Sequence, residues 1–234
     1  MPSVGTPLPH DAAHGHVTGQ APYLDDLRCL DGELHVGFVG SPVACGDLLG
    51  IDLTEAAAVP GVVGCYTADD VEGHNIFGLV VADEPFLAQG NLLYMGQPVA
   101  IIAAETRESL DRARKVAKVD YREQKPLLDL KEAIRSERFL GSVLRIARGD
   151  VDRALQNSEH RISGTFTSGG QEQFYLESQA AIAYPGEQGQ MVVHSSTQNP
   201  TEIQIVVAEV LGLGQHEVVC LCKRMGGAFG GKET

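Results

Sequence analysis

Basic residues are scarce in this 234-residue chain: 18 Lys and Arg stand against 31 Asp and Glu, a formal net charge of −13. Nucleic acid and anionic lipid are bound through clustered Lys and Arg, so a surface of this sign repels both and excludes them as partners. The acidity keeps the protein soluble. Tryptophan is absent, and aromatic residues amount to only 6%. No apolar run approaches the ~20 residues that a membrane-spanning helix needs. The first residues, MPSVGTPLPHDAAHGH, lack the apolar stretch of a secretory signal. Cysteines number five, Cys29, Cys45, Cys65, Cys220 and Cys222, and none form a C-x-x-C pair. The C-x-C of VVCLCKR lies in an alternating strand pattern, which puts both thiols on one face. An odd count at irregular spacings reads as ordinary buried thiols in a reducing compartment. A cytoplasmic location is expected.

What remains is an ordinary globular composition, 43% hydrophobic and 21% charged, on a chain long enough to bury a sizeable core. Residues 1–19 are rich in Pro, Gly and His and read as an extended arm. Its three histidines, His10, His14 and His16, have no accompanying Cys or paired acid and read as solvated side chains rather than metal ligands. ELHVGFVGS alternates Leu34, Val36 and Phe38 with His35, Gly37 and Val39, a strand period. In DLTEAAAVPG, Thr54 can cap a short helix that Pro60 and Gly61 end. VVGCYTADDV reads as strand then turn, and Val99 to Ala104 as a buried strand. TRESLDRARKVAKV is the clearest helix: Thr106 is its N-cap, and Leu110, Ala113, Val116 and Ala117 form the apolar stripe. VDYREQKPLLDLKEAI reads as a strand and a second helix. Strands alternating with helices predict a mixed α/β (α+β) domain over 20–135.

Residues 136–148 carry no clear period and read as a linker, and a second region, 149–234, follows. It opens on a short helix in GDVDRALQNS. HRISGTFTSGGQEQFYLESQAAIAYPGEQGQMVVHSSTQNP is expected to give strand, turn, strand, hairpin and strand, with the hairpin tip at Glu187 to Gln190. NPTEIQIVVAEVLGL reads as a helix with Pro200 near its start and Gly212 past its end. HEVVCLCKR is a strand that runs straight into a glycine loop.

That loop, RMGGAFGGKET, partly matches a Walker phosphate loop: Gly226, Gly231 and Lys232 have the spacing, but Glu233 replaces the required Ser or Thr. A carboxylate there repels phosphates, and no helix N-terminus follows to bind them. Free N–H groups and flexible φ angles at a strand end suit the oxygens of a cofactor or ligand; a hinge or tight turn has the same glycine content. A second loop, SGGQEQFYLE, sets Gln171 behind two glycines, where its amide can donate to a ligand and accept from a neighbour.

GGQEQFYLE, then STQNP, then KRMGGAFGGKE, in that order, resemble the molybdenum-binding chain of the xanthine dehydrogenase and aldehyde oxidase family. VGTPLPHDAAHGHVTGQAPYLDD resembles the entry into that family's first large-subunit domain, and VDYREQKPLLDLKEAI its end. The resemblance spans essentially the whole chain and is closest to the xanthine dehydrogenase branch. It implies a compact hammerhead-like α/β domain followed by the first strands and helix of a molybdopterin-binding domain. Gln171 matches the glutamine that hydrogen-bonds an oxygen ligand of the molybdenum, with no direct metal ligand on the chain. Phe229 and Gly230 match the loop whose backbone contacts the molybdenum–molybdopterin cofactor. Glu233 matches the acid that binds the purine ring in the xanthine dehydrogenase branch, where aldehyde oxidases typically have no acid; a solvated surface acid is an equal reading of the same residue.

The family's reaction inserts water-derived oxygen at a C–H bond, and the resemblance places its general base beyond Thr234. It implies 2Fe-2S and FAD groups on other domains or subunits, which are the expected partners together with the remainder of the molybdenum-binding chain and a purine substrate. The expectation is therefore an N-terminal portion of a molybdenum hydroxylase, inactive alone, with open strand edges that promote aggregation. The alternative is a non-catalytic assembly module that docks to iron–sulfur and flavin subunits.

Overall fold

The computed structural model describes residues 4–27, 30–78 and 81–233, so Cys29 and Thr234 lie outside the described residues. By its internal contacts the chain divides into two units, residues 1–124 with 173–234, and residues 125–172.

In the first unit, helix α1 (Ala13–Thr18) lies within the segment expected to be an extended arm. Two local bonds explain it: the imidazole of His10 accepts from the N–H of Ala12 at 3.1 Å, and Gly19, at φ 71°, closes the helix in the left-handed conformation. Strands β1 (His35–Gly40) and β2 (Gly46–Asp52) follow, then helix α2 (Thr54–Ala57). Thr54 is the first residue inside α2 rather than its cap; the Asp52 carboxylate accepts from its N–H at 2.9 Å. Next come β3 (Val62–Tyr66), β4 (Asn91–Leu92), β5 (Pro98–Ala104), helix α3 (Arg107–Val116) and β6 (Lys118–Glu123). Thr106 caps α3, its hydroxyl accepting from the N–H of Ser109 at 3.1 Å.

These strands form two antiparallel sheets of order β1-β5-β3 and β4-β2-β6. Helix α3 lays Leu110 and Ala113 on the first sheet, and Val39, Ala56, Val99, Ala100, Ile102 and Ala104 join them in one core. The alternation expected of β1 is present, and the face it buries is the one that carries Gly37 and Val39. Val39 is buried, whereas Val36 is 60% and Phe38 52% exposed. Gly37 is the reason: a Cβ there would meet the Leu110 side chain at 3.1 Å, so the small residues of β1 admit the helix while the large ones face the other way.

The first unit also carries β7 (Ala181–Pro185), β8 (Met191–Ser195), helix α6 (Pro200–Leu211) and β9 (Val218–Leu221). β7 and β8 form the expected hairpin, and β9 adds parallel to β8, giving the order β7-β8-β9. The C-terminal carbonyls of α6 are satisfied from the first half of the chain: Gly73 N–H donates to Val210 O and His74 N–H to Glu209 O, each at 2.9 Å. A side chain on Gly73 would meet the Glu209 carbonyl at 1.8 Å, so only glycine fits that approach.

The second unit holds the short helices α4 (Leu130–Arg135) and α5 (Val151–Gln156), capped by Asp129 and Asp150. The strands expected around HRISGTF and EQFYLE are not formed among the described residues. Ile162, Phe166, Phe174 and Leu176 are all exposed. Their alternating pattern is strand-like, but a strand needs a neighbour for its backbone groups, and these segments belong to none of the three sheets.

Candidate functional site

Strand β9 ends at Leu221, and residues 222–233 leave it as the glycine loop. Cys220 lies in β9, where burial, then the neighbouring Cys222, pushes its thiol pKa up. Cys222 lies past the strand end, its Sγ 3.3 Å from the carbonyl of Thr197. Cys45, Cys65, Cys220 and Cys222 are all free thiols.

The loop is held at both ends by one carboxylate. Glu177 Oε2 accepts from the N–H of Gly226 at 2.8 Å, where the loop begins, and lies 3.5 Å from the Lys232 ammonium, where it ends. The same oxygen accepts from the Ser196 hydroxyl at 2.7 Å, while Oε1 accepts from the N–H of Leu24 at 3.3 Å. Burial pushes the Glu177 carboxyl up, but the Gly226, Ser196 and Leu24 donors and the Lys232 charge outweigh it, and the group sits below the ordinary glutamate value.

Lys232 is 2% exposed. Its Nζ donates to the Ser196 hydroxyl at 2.7 Å and to the Glu177 carbonyl at 2.8 Å, and lies 4.7 Å from the centre of the Tyr175 ring. A buried ammonium is tolerated only when its protons are taken up in this way. The backbone is fixed too. Lys232 O accepts from Gln198 N–H at 2.8 Å, and Gln198 Oε1 accepts from Gly230 N–H at 2.9 Å. Tyr175 packs so close that a Cβ on Gly231 would meet its ring at 2.5 Å.

Between these anchors the backbone stands open. The N–H groups of Gly227, Ala228 and Phe229 donate to no acceptor among the described residues. Phe229 has φ 54° and its side chain is 76% exposed. A bulky residue held in the left-handed region is strained and points to a backbone shaped for a task. Glu233 is exposed, next to the buried Lys232.

Of the residues expected at the site, Phe229, Gly230 and Glu233 share this loop. The N–H of Gly230 is already taken by Gln198, which leaves Phe229 as the open donor of the two. Gln171 falls in the unit of residues 125–172; its side chain is exposed and its amide nitrogen is 3.4 Å from the Gly170 carbonyl. The sequence reading missed Glu177, Ser196, Gln198 and Lys232 as the loop's supports. The order of the motifs GGQEQFYLE, STQNP and KRMGGAFGGKE held the only signal: each of the three contributes one pole of this network.

Residues 18–125 match the family profile of the aldehyde oxidase and xanthine dehydrogenase a/b hammerhead domain, and residues 135–234 that of the molybdopterin cofactor-binding domain. The chain belongs to the xanthine dehydrogenase and aldehyde oxidase family. It is 40% identical over 99% of its length to a xanthine dehydrogenase/oxidase of Gallus gallus, and 39% identical over 98% to an aldehyde oxidase 1 of Macaca fascicularis. It spans 17% of the length of each of these relatives. The aldehyde oxidoreductase of Desulfovibrio gigas superimposes with a TM-score of 0.81 at 26% identity, covering 95% of this chain and 27% of that one. The mixed α+β architecture is thus that of a hammerhead domain followed in sequence by the first strands and helix of a molybdopterin-binding domain.

The loop's chemistry fits such a cofactor. Three adjacent N–H donors stand open for acceptor atoms, and a Cβ on Gly230, at φ 91°, would meet nothing within 4 Å, so a group can come close to the backbone there.

Proposed function

We propose that this chain is the N-terminal part of the molybdenum-binding portion of a xanthine dehydrogenase-like oxidoreductase that hydroxylates purines, such as hypoxanthine or xanthine, at a C–H position with water-derived oxygen. Molybdenum–molybdopterin would supply the redox chemistry when bound. Phe229 N–H, with Gly227 and Ala228 N–H, would hold the cofactor, and Gly230 would give it room. Gln171 would hydrogen-bond an oxygen ligand of the metal. Glu233 would accept from a ring N–H of the purine and stabilise positive charge that builds on the heterocycle.

The observation that supports this reading is Glu233 itself. It is an exposed carboxylate, with no protein partner among the described residues, beside the buried and anchored Lys232. A 40% identical xanthine dehydrogenase/oxidase supports the same substrate class, although a 39% identical aldehyde oxidase shows that overall identity does not separate the two. The general base, the 2Fe-2S and FAD groups and the rest of the molybdenum-binding portion would lie on other domains or subunits, so this chain alone would be inactive. Free thiols among the described cysteines agree with a cytoplasmic protein.

The test is made in the full-length protein that carries this chain. Glu233→Ala should lower kcat/KM for purines by about tenfold or more, the loss of a hydrogen bond to a charged group, while simple aldehydes are little affected. Equal losses on both would sink the purine assignment.

A second reading, a non-catalytic assembly module, is favoured by the exposed apolar face of β1 with Val36 and Phe38. Elemental analysis separates the two. The chain purified from a cofactor-producing host together with its completing domains should hold near-stoichiometric molybdenum under the first reading and none under the second.

A further inference from the structure

We propose that Lys232 is a positioning residue, whose buried ammonium sets where the Glu233 carboxylate stands. The proposal rests on the reading of Glu233 as the purine-binding acid, and it assigns to its neighbour the task of aiming it.

A single peptide bond joins the two residues. That peptide is planar, so fixing its carbonyl and the Lys232 side chain fixes the Cα of Glu233. The carbonyl of Lys232 accepts from Gln198 N–H at 2.8 Å and from the Thr197 hydroxyl at 3.3 Å. On the side-chain end, Nζ reaches the Ser196 hydroxyl at 2.7 Å and the Glu177 carbonyl at 2.8 Å, with the Tyr175 ring 4.7 Å away. The carbonyl, N–H and ammonium of Lys232 are therefore all tied to residues 196–198 or to Glu177.

Solubility does not explain the residue. Lys232 is 2% exposed and heads the fully buried side chains by size. An ammonium at such a place is costly unless its partners hold it in one geometry, and that requirement makes it a better locator than an apolar side chain, which can slide. Arginine would not substitute. Its planar fork asks for different acceptor positions, and the Tyr175 ring lies so near the loop that a Cβ on Gly231 would already meet it at 2.5 Å.

The proposal concerns geometry, so its first test reads geometry. Hydrogen exchange of this chain is followed by mass spectrometry for the wild type, Lys232→Met and Lys232→Arg. The peptide that contains residues 225–233 should exchange about tenfold faster or more in both variants, because the Gly230 and Gly226 amides lose their fixed acceptors. Peptides from β1 and β5 should keep their protection. Unchanged exchange at residues 225–233 in Lys232→Met would overturn the proposal. Should Lys232→Met lose protection throughout, Ser196→Ala is read in its place: it removes the shortest Nζ partner and keeps the charge. Faster exchange confined to residues 225–233 then supports the proposal, and no change overturns it.

The second test is a double-mutant cycle in the full-length protein, using purine kcat/KM, with Glu233→Gln as the other arm. Lys232→Met should lower kcat/KM about tenfold or more through the displaced carboxylate. The double variant should be no worse than the poorer single variant, because once Glu233 has lost its charge there is nothing left to aim. Losses that multiply would show that Lys232 acts independently of Glu233 and would overturn the proposal. A Glu233→Gln variant with full purine turnover would sink the substrate reading instead, and the exchange result would still decide whether Lys232 holds the loop.

Discussion

Glu177 and Gly226 are 49 residues apart in sequence and joined by a 2.8 Å hydrogen bond, with the carboxylate accepting from the N–H of the loop's first glycine. The same carboxylate faces the Lys232 ammonium at the loop's far end. One side chain thus closes a flexible glycine-rich segment into a loop of defined span.

Removing that side chain should cost more than changing its charge. Glu177→Ala leaves Lys232 buried without its counter-ion and Gly226 without its acceptor, a loss on the order of 3–5 kcal/mol. Glu177→Gln keeps an oxygen acceptor and should cost less. Urea unfolding midpoints of the two variants against the wild type give the comparison; a Gln variant as unstable as the Ala variant would contradict it.

The pH dependence has a definite sign. The folded-state pKa of Glu177 lies below the ordinary glutamate value of 4.5, so the unfolded chain takes up the proton first. The stabilisation is fully present above the unfolded value and is lost as pH falls through the folded one. Urea midpoints of the wild type should therefore drop on acidification below about pH 4.5, and those of Glu177→Gln should drop less. Parallel curves would remove Glu177 as the cause.

Two threonines separate a cap from a look-alike. Thr106→Ala removes the side-chain acceptor at the start of α3 and should cost about 1 kcal/mol. Thr54→Ala should cost less, because Thr54 lies within α2 and alanine keeps its N–H bond to Asp52, losing only the hydroxyl's contact with that exposed carboxylate. Thermal melts of the two variants measure the difference.

The exposed face of β1 should tolerate charge. Val36→Lys with Phe38→Lys should leave the melting temperature within a few degrees of the wild type, since surface substitutions cost about 0.5 kcal/mol or less. The doubly substituted chain should also stay in solution at concentrations where the wild type aggregates. Ile102→Ala, in the buried core between β1 and β3, should cost about 2–5 kcal/mol. Light scattering and melts distinguish the two sites.

For Gln171, the measurement is spectroscopic. In the full-length protein Gln171→Ala should perturb the electron paramagnetic resonance signal of the molybdenum site, through loss of a hydrogen bond to a metal ligand. An unchanged spectrum counts against the assignment.

The sequence alone determined the elements whose stability is local. Thr106 and the Leu110–Ala113 stripe specify α3 because a side-chain acceptor and an apolar period act within a few residues of one another. The β7–β8 hairpin and helix α6, with Asn199 at its start and Gly212 at its end, are local in the same sense. The order of the glycine and glutamine motifs was also readable, and the family profiles over residues 18–125 and 135–234 agree with it. Only the tertiary structure decided which face of β1 is buried: alternation gives a period of two but not a direction, and Gly37 under Leu110 settled it. The strand patterns around Ile162 and Phe174 failed for the complementary reason, since a strand depends on a neighbour that no local pattern supplies. Lys232 is the clearest case. In sequence it is one more charged residue near a glycine run, and charge predicts exposure. Its burial depends on Glu177, Ser196 and Tyr175 arriving from up to 57 positions earlier in the chain, and that convergence exists only once the chain has folded.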